Sequence, residues 1–169
     1  KNRKDLTEER IYEMFKDFKY IVPQGSIMST LGTNLIASLS NCWVVESPFD
    51  SYSGIHKTDG DLIGYYKRRG GCGADISNLR PNKTKTNNTA KSSTGAVSFM
   101  NRFSNTTREV AMNGRRGALM LSIDVRHPDV MDFIKIKRDL TQVTGANISI
   151  RISDEFMKAV EADEDFILR

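Results

Sequence analysis

Cysteine is scarce: the 169-residue chain holds two, Cys42 and Cys72. Two thiols are too few for a disulfide-stapled scaffold, and their separation lacks metal-ligand spacing. Metal binding by this chain alone is therefore not expected, and a reducing cytoplasm suits such cysteine usage. Long apolar runs are missing as well. None approaches the roughly 20 residues that span a bilayer, and the opening stretch KNRKDLTEERIYEMF has no apolar core of the kind a secretion signal needs. Four N-x-S/T sequons, at Asn82, Asn87, Asn105 and Asn147, then read as polar turns and caps. Charge of one sign is not concentrated: 25 Lys and Arg are spread among 21 Asp and Glu, leaving a net charge of +4. That balance describes a mildly basic enzyme surface and argues little for nucleic acid. A Walker loop, a Rossmann glycine fingerprint and a Ser-His-Asp spacing are all lacking.

What is present is a globular composition, 38% hydrophobic and 27% charged, for one domain or part of a larger one. Residues 7–20 space Ile11, Met14, Phe15 and Phe18 as one helical face, with Thr7 as N-cap and acids in the first turn. LSNCWVVE is short, apolar and β-branched, which predicts a buried strand. SPFDSYSGIHKTDGDLIGYYKRR predicts a turn and an irregular helix, GADISNL a second strand, and the polar RPNKTKTNNTAKSSTG a mobile surface loop. AVSFMNRFSNTTREVAM has helical spacing, NGRRG is a tight turn, and ALMLSIDV is a continuous apolar strand. HPDVMDFIKIKRDL opens a helix with Pro128 and Asp129 in its first turn. ANISIRIS alternates as a strand, and Ser153 caps a last helix. Strand and helix in alternation predict an α/β fold with mostly parallel strands. Ligands in such sheets collect at the carboxyl ends of strands, which assigns the turn after NCWVV, the loop after GADIS and NGRRG to the functional side.

Read from residue chemistry, Cys42 is a small core residue. In NGRRG two arginines between glycines suit a phosphate or carboxylate, or else form a solvated basic turn. Asp50 and Ser51 either cap the following helix or accept a hydrogen bond from a sugar hydroxyl. His127 is a helix lead-in rather than a base. Residue chemistry alone thus reaches an α/β protein whose glycine and arginine turns suit a phosphorylated ligand.

Four segments in one order carry more: SLSNCWVVESPFDSYSGI, KRRGGCGADISNLRP, SSTGAVSFMNRFSNTTREVAMNGRRGALMLSIDVRHPDVMDFI and VTGANISIRISDEFMKAV. Together, from about Val22 to the C-terminus, they resemble the catalytic (large) subunit of ribonucleotide reductase. The resemblance implies an α/β fold that is the first part of a ten-stranded α/β barrel. Residues 1–36 would be an N-terminal helix and lead-in loop, and 37–169 the first strands and helices of the barrel, incomplete at the C-terminus.

It also implies roles, position by position. Cys42 matches the first of two cysteines that reduce the ribose and become a disulfide, which overturns the core reading; Ser40 and Asn41 beside it would set its position against the substrate. Gly70, Gly71 and Gly73 match a glycine turn that closes over the substrate, whereas Cys72 stands where the family has an aliphatic residue and is read as packing. Asp50, with Ser51 beside it, matches the acid that contacts the ribose of a nucleotide effector. Arg80 matches the arginine on that effector's phosphates, with Lys83 and Lys85 as weaker phosphate candidates. Asn82 departs from the glycine that usually follows Arg-Pro. Asn113, Gly114, Arg115, Arg116 and Gly117 match the loop that couples effector to substrate.

Implied partners are a ribonucleoside di- or triphosphate, a deoxynucleotide effector, the remainder of the catalytic subunit, a second copy in a homodimer and a radical-generating subunit. Neither nucleic acid nor membrane is among them. No cofactor is expected on this segment. The complete enzyme needs dNTP or ATP effectors and a radical source, either a metal-containing small subunit or adenosylcobalamin. In that enzyme a thiyl radical abstracts the 3′-hydrogen, water leaves the 2′-carbon, and the cysteine pair supplies the electrons. GRRGALM followed by HPD resembles the branch that includes cobalamin-dependent enzymes. The radical cysteine, its finger-loop neighbours and the partner of Cys42 have no counterpart here, so the chain is read as an N-terminal piece of the barrel, inactive alone. A non-catalytic nucleotide-binding module and an assembly segment are the two other readings.

Overall fold

The computed structural model describes residues 3–110 and 117–169. Helix α1 (Glu8–Phe15) starts as its sequence dictates, with the Thr7 hydroxyl accepting from Arg10 N. The predicted extension to residue 20 fails because Asp17 and Phe18 adopt positive φ, which ends the α-helix in a single 3-10 turn. A short α2 (Ser26–Thr30) leads to β1 (Cys42–Val44), α3 (Tyr52–Tyr66), β2 (Gly71–Asp75) and α4 (Ala96–Glu109). Then come β3 (Leu119–Asp124), α5 (Val130–Lys135), β4 (Asn147–Arg151) and α6 (Asp154–Ala162).

The four strands form one parallel sheet in the order β1-β2-β3-β4. Successive strands are joined by α3, α4 and α5, the short-range parallel crossovers that α/β alternation predicts. Cys72, Ala74, Leu119, Leu121 and Ile123 point from the sheet into a core with Leu62 and Tyr66 of α3, Met100 and Phe103 of α4, and Phe133 of α5. The opposite sheet face carries Cys42, Gly71, Gly73, Met120 and Asn147. No described helix covers it: Met120 is 41% exposed and Val44 is 90% exposed. The sheet is not closed among the described residues.

Two expectations change at this level. The predicted buried strand around Cys42 is the exposed edge strand β1, because it has one neighbour among the described residues and its inward side is capped merely by Trp43 packing on Tyr65 at 5.3 Å. The expected irregular helix is the regular α3, fixed at its start by the Ser51 hydroxyl accepting from Gly54 N at 3.0 Å.

The α3–α4 contact contains a buried relay. Thr107 Oγ1 donates to Phe103 O at 2.9 Å, which leaves Tyr66 OH to donate to Thr107 Oγ1 at 3.0 Å. Burial pushes the Tyr66 phenol well above its ordinary pKa. Tyr66→Phe removes that donor but leaves Thr107 bonded to the helix, so a loss of about 1 kcal/mol in a urea melt is expected.

Candidate active site

The parallel sheet has two ends, and the sequence-predicted residues divide between them. At the carboxyl ends, Asp50 and Ser51 follow β1 and Arg80 follows β2. Arg80 Nε donates to Asp50 Oδ2 at 2.7 Å, its main-chain N to Asp50 Oδ1 at 3.2 Å, and its Nη2 to Asp50 O at 3.3 Å. One aspartate therefore fixes both the backbone and the guanidinium of Arg80, leaving other guanidinium N–H groups free for an anion. Beside the pair lies a cavity of about 240 Å³ lined by Asp50, Ser51, Tyr52, Arg80 and Phe99, and by hydroxyl and amide side chains of residues 86–88 and 92–94.

Those last residues belong to the stretch read as a mobile loop, and here the structure differs. Residues 83–93 form an antiparallel ribbon: Lys83 N donates to Ser93 O, Ser93 N to Thr84 O and Thr86 N to Lys91 O, around a Lys85–Ser92 bridge. Its many Thr, Asn and Ser residues hold the ribbon locally, which apolar periodicity does not reveal. Alternation along the ribbon half-buries Thr84 and Thr86 and exposes Lys83 and Lys85, neither of which lines the cavity.

At the amino ends stand Cys42, the first residue of β1, and Gly71, its partner in the register. The expected glycine turn is in fact strand β2: Gly71 N donates to Asn41 O at 2.7 Å, Cys72 N to Ala118 O at 2.8 Å and Val45 N to Gly73 O at 2.9 Å. Gly70 sits just before it, where a Cβ would meet the Trp43 indole at 2.8 Å. Around Gly73 nothing but Met120 O, 4.0 Å away, approaches a Cβ position, so bare backbone faces open space next to Val44, two positions along β1 from the exposed Cys42 thiol. Asn41 Oδ1 accepts from Ser26 N at 2.8 Å and ties α2 to the head of β1, while Ser40 is exposed. The Gly25-Ser26 contact was missed in the sequence; Gly25, at φ 63, is the signal, since a Cβ there would stand 2.5 Å from the Asn41 amide.

Cys72 is the adjacent strand position and points the other way, into the core, where it is 6% exposed. Burial first, then the nearby Cys42, pushes its pKa up to about 11. The assignment of three segments to the carboxyl ends is corrected for one: Gly117 lies two residues before β3 and so at the amino ends, with Cys42 and Gly71. Asn113, Gly114, Arg115 and Arg116 lie outside the described residues.

Residues 40–169 match the family model described as "Ribonucleotide reductase, barrel domain". The chain belongs to that family. A vitamin B12-dependent ribonucleoside-diphosphate reductase of Mycobacterium tuberculosis is 32% identical over 155 residues, covering 90% of this chain and 22% of that protein. The enzyme of the same name from Thermoplasma acidophilum is 34% identical over 145 residues, 85% of this chain and 19% of its own length. A ribonucleoside-diphosphate reductase large chain of Saccharomyces cerevisiae is 29% identical over 136 residues, 77% and 16% respectively. The chain thus spans about a fifth of the length of these relatives. All four parallel strands fall inside the family match, and the open sheet is a partial barrel of this family. Among the described residues no helix is long and apolar enough to cross a membrane, and no three His, Cys, Asp or Glu side chains are grouped to hold a metal ion.

Proposed function

We propose that this chain is the opening part of the barrel of a ribonucleotide reductase catalytic subunit, with residues 37–169 in the barrel and 1–36 leading into it. The observation that carries this reading is the accessible Cys42 thiol at the head of β1, on the uncovered sheet face beside the bare Gly71–Gly73 backbone. A sugar ring laid against Gly73 would share one open cleft with the Cys42 thiol. Two thiols becoming one disulfide release two electrons and two protons. Cys42 would supply one thiol, and a cysteine outside these 169 residues the other. Cys72 does not suit the second part, being buried on the opposite face. The Asp50–Arg80 cavity is read as the site of a deoxynucleotide effector, with Arg80 toward the phosphates, and residues 113–117 as the coupling loop.

The names of the Mycobacterium and Thermoplasma relatives favour a ribonucleoside diphosphate substrate and a B12-dependent radical source. In this reading the radical arises elsewhere in the enzyme, which acts as a homodimer in the cytoplasm.

Thiol labelling tests the reading. The intact polypeptide carrying this segment is given substrate and no external reductant, then treated with iodoacetamide at about pH 8 and mapped by mass spectrometry. Cys42 should be protected after turnover and become reactive again on reduction. Cys72 should resist in both states until the protein is denatured, because a pKa of about 11 leaves roughly one thiol in a thousand ionised at that pH. Cys42 equally reactive before and after turnover would overturn its redox role.

A further inference from the structure

Beyond the cavity, two buried side chains control the chain that builds it. Asp129 was expected to serve the first turn of its own helix, α5; it makes no side-chain bond there. Its carboxylate, buried with the residue 6% exposed, instead accepts from Asn82 N at 3.0 and 3.1 Å and from Ala96 N at 3.0 Å. Those two amides stand at the two feet of the ribbon that lines the cavity. Asn82 comes two residues after Arg80, and Ala96 is the first residue of α4. His127, also buried, completes the arrangement. Its Nε2 donates to Leu79 O at 2.7 Å, the residue before Arg80, while its Nδ1 accepts from Asp129 N at 3.0 Å. The Asp129 bond fixes the tautomer, since a nitrogen that accepts from an amide carries no proton. Gly95 is shaped to this contact: it sits at φ 85, and a Cβ there would stand 2.6 Å from Asp129 Oδ2 and 2.8 Å from Asn82 N. Neither His127 nor Asp129 lines the cavity.

We propose that His127 and Asp129 are positioning residues that clamp both feet of the 82–95 ribbon, and thereby set Arg80 and the ribbon's polar side chains for the phosphorylated ligand of the cavity. The proposal rests on the reading of that cavity as a nucleotide site. Its physical basis is that one buried carboxylate satisfies two amides, the buried one of Ala96 and the part-buried one of Asn82, whose chain positions are far apart. Removing it leaves those amides to water or unpaired, and the ribbon keeps its own ladder and the Leu79 and Arg80 bonds at one foot, with no tie between its two feet. The clamp also links the β3–α5 turn to the cavity, so a displacement of that turn would be transmitted to Arg80 through Leu79.

Asp129→Asn in the intact polypeptide tests this, because one amide nitrogen then faces a backbone donor. Two readouts are taken: amide hydrogen exchange without nucleotide, and binding of dATP, dGTP and dTTP by calorimetry. The expected result is faster exchange at Asn82 and along residues 83–93 with β3 protection retained, together with a loss of about 10-fold or more in affinity for the nucleotide that binds the unaltered protein. Should Asp129→Asn not fold, His127→Gln, which keeps a donor for Leu79 O, is expected to show the same pattern with a smaller loss. Unchanged exchange at Asn82 would overturn the clamp. Faster exchange with unchanged affinity would overturn its positioning role. Failure of the unaltered protein to bind any of the three nucleotides would overturn the reading of the cavity, and the positioning role with it, while the exchange result would still decide whether the clamp exists.

Discussion

Cys42→Ser is expected to abolish ribonucleotide reduction by the intact enzyme, lowering kcat on the order of 10³-fold or more. A serine hydroxyl can occupy the place of the thiol but cannot give up electrons by forming a disulfide. In this chain, where Cys42 is exposed on an edge strand, the same change should leave stability within about 0.5 kcal/mol. Cys72→Ser should behave in the opposite sense. There the new hydroxyl faces Tyr66, Leu119 and the rest of the core cluster, where burial already raises the thiol pKa, and a buried unpaired hydroxyl costs about 1–3 kcal/mol. Its kcat should stay within about two-fold, because the side chain points into the core, away from the face that carries Cys42. Steady-state kinetics and urea melts on both variants decide the matter. Full activity in Cys42→Ser would overturn the assignment of the thiol and favour a nucleotide-binding or assembly role for the segment.

Arg80→Ala is expected to weaken deoxynucleoside triphosphate binding by about 100-fold, the scale of losing a charge-assisted contact to phosphate. Asp50→Ala should cost less, about 10-fold: the guanidinium remains, but nothing then fixes its Nε or the Arg80 main chain. Neither change should unfold the protein, since the side chains are 39% and 33% exposed and an ion pair so open to solvent contributes little to stability. Lys57→Ala is the control for loss of one positive charge, because Lys57 pairs with Glu46 at 2.7 Å, both side chains are well exposed, and neither lines the cavity. Calorimetry should show near-unaltered affinity there. Unaltered affinity in Arg80→Ala would remove the cavity from nucleotide recognition.

The parts of this protein that sequence makes legible are those settled within a few residues. Thr7, Ser51 and Ser153 cap α1, α3 and α6 because each hydroxyl meets an amide three positions on, in Arg10, Gly54 and Phe156. The apolar spacing of Met100 and Phe103 places them in the core from α4. Strand–helix alternation leads to a parallel sheet by the same local logic. Reading Cys42 as redox-active came from the order of four motifs; residue chemistry alone made it a core residue, since an apolar strand looks the same at the centre of a sheet and at its edge.

What composition and spacing determined is therefore the class of fold, the elements and their caps, all fixed by the periodic placement of apolar groups and by short-range hydrogen bonds. Tertiary structure decided which strand is left at an edge, that the Gly71–Gly73 segment is a strand rather than a turn, and which end of the sheet each motif occupies. It also decided that Asp129 serves a chain segment 33 to 47 residues away rather than its own helix. The reason is common to all of these. Backbone donors and acceptors must be paired once buried, and which distant group pairs them is settled only when the sheet and its crossovers pack.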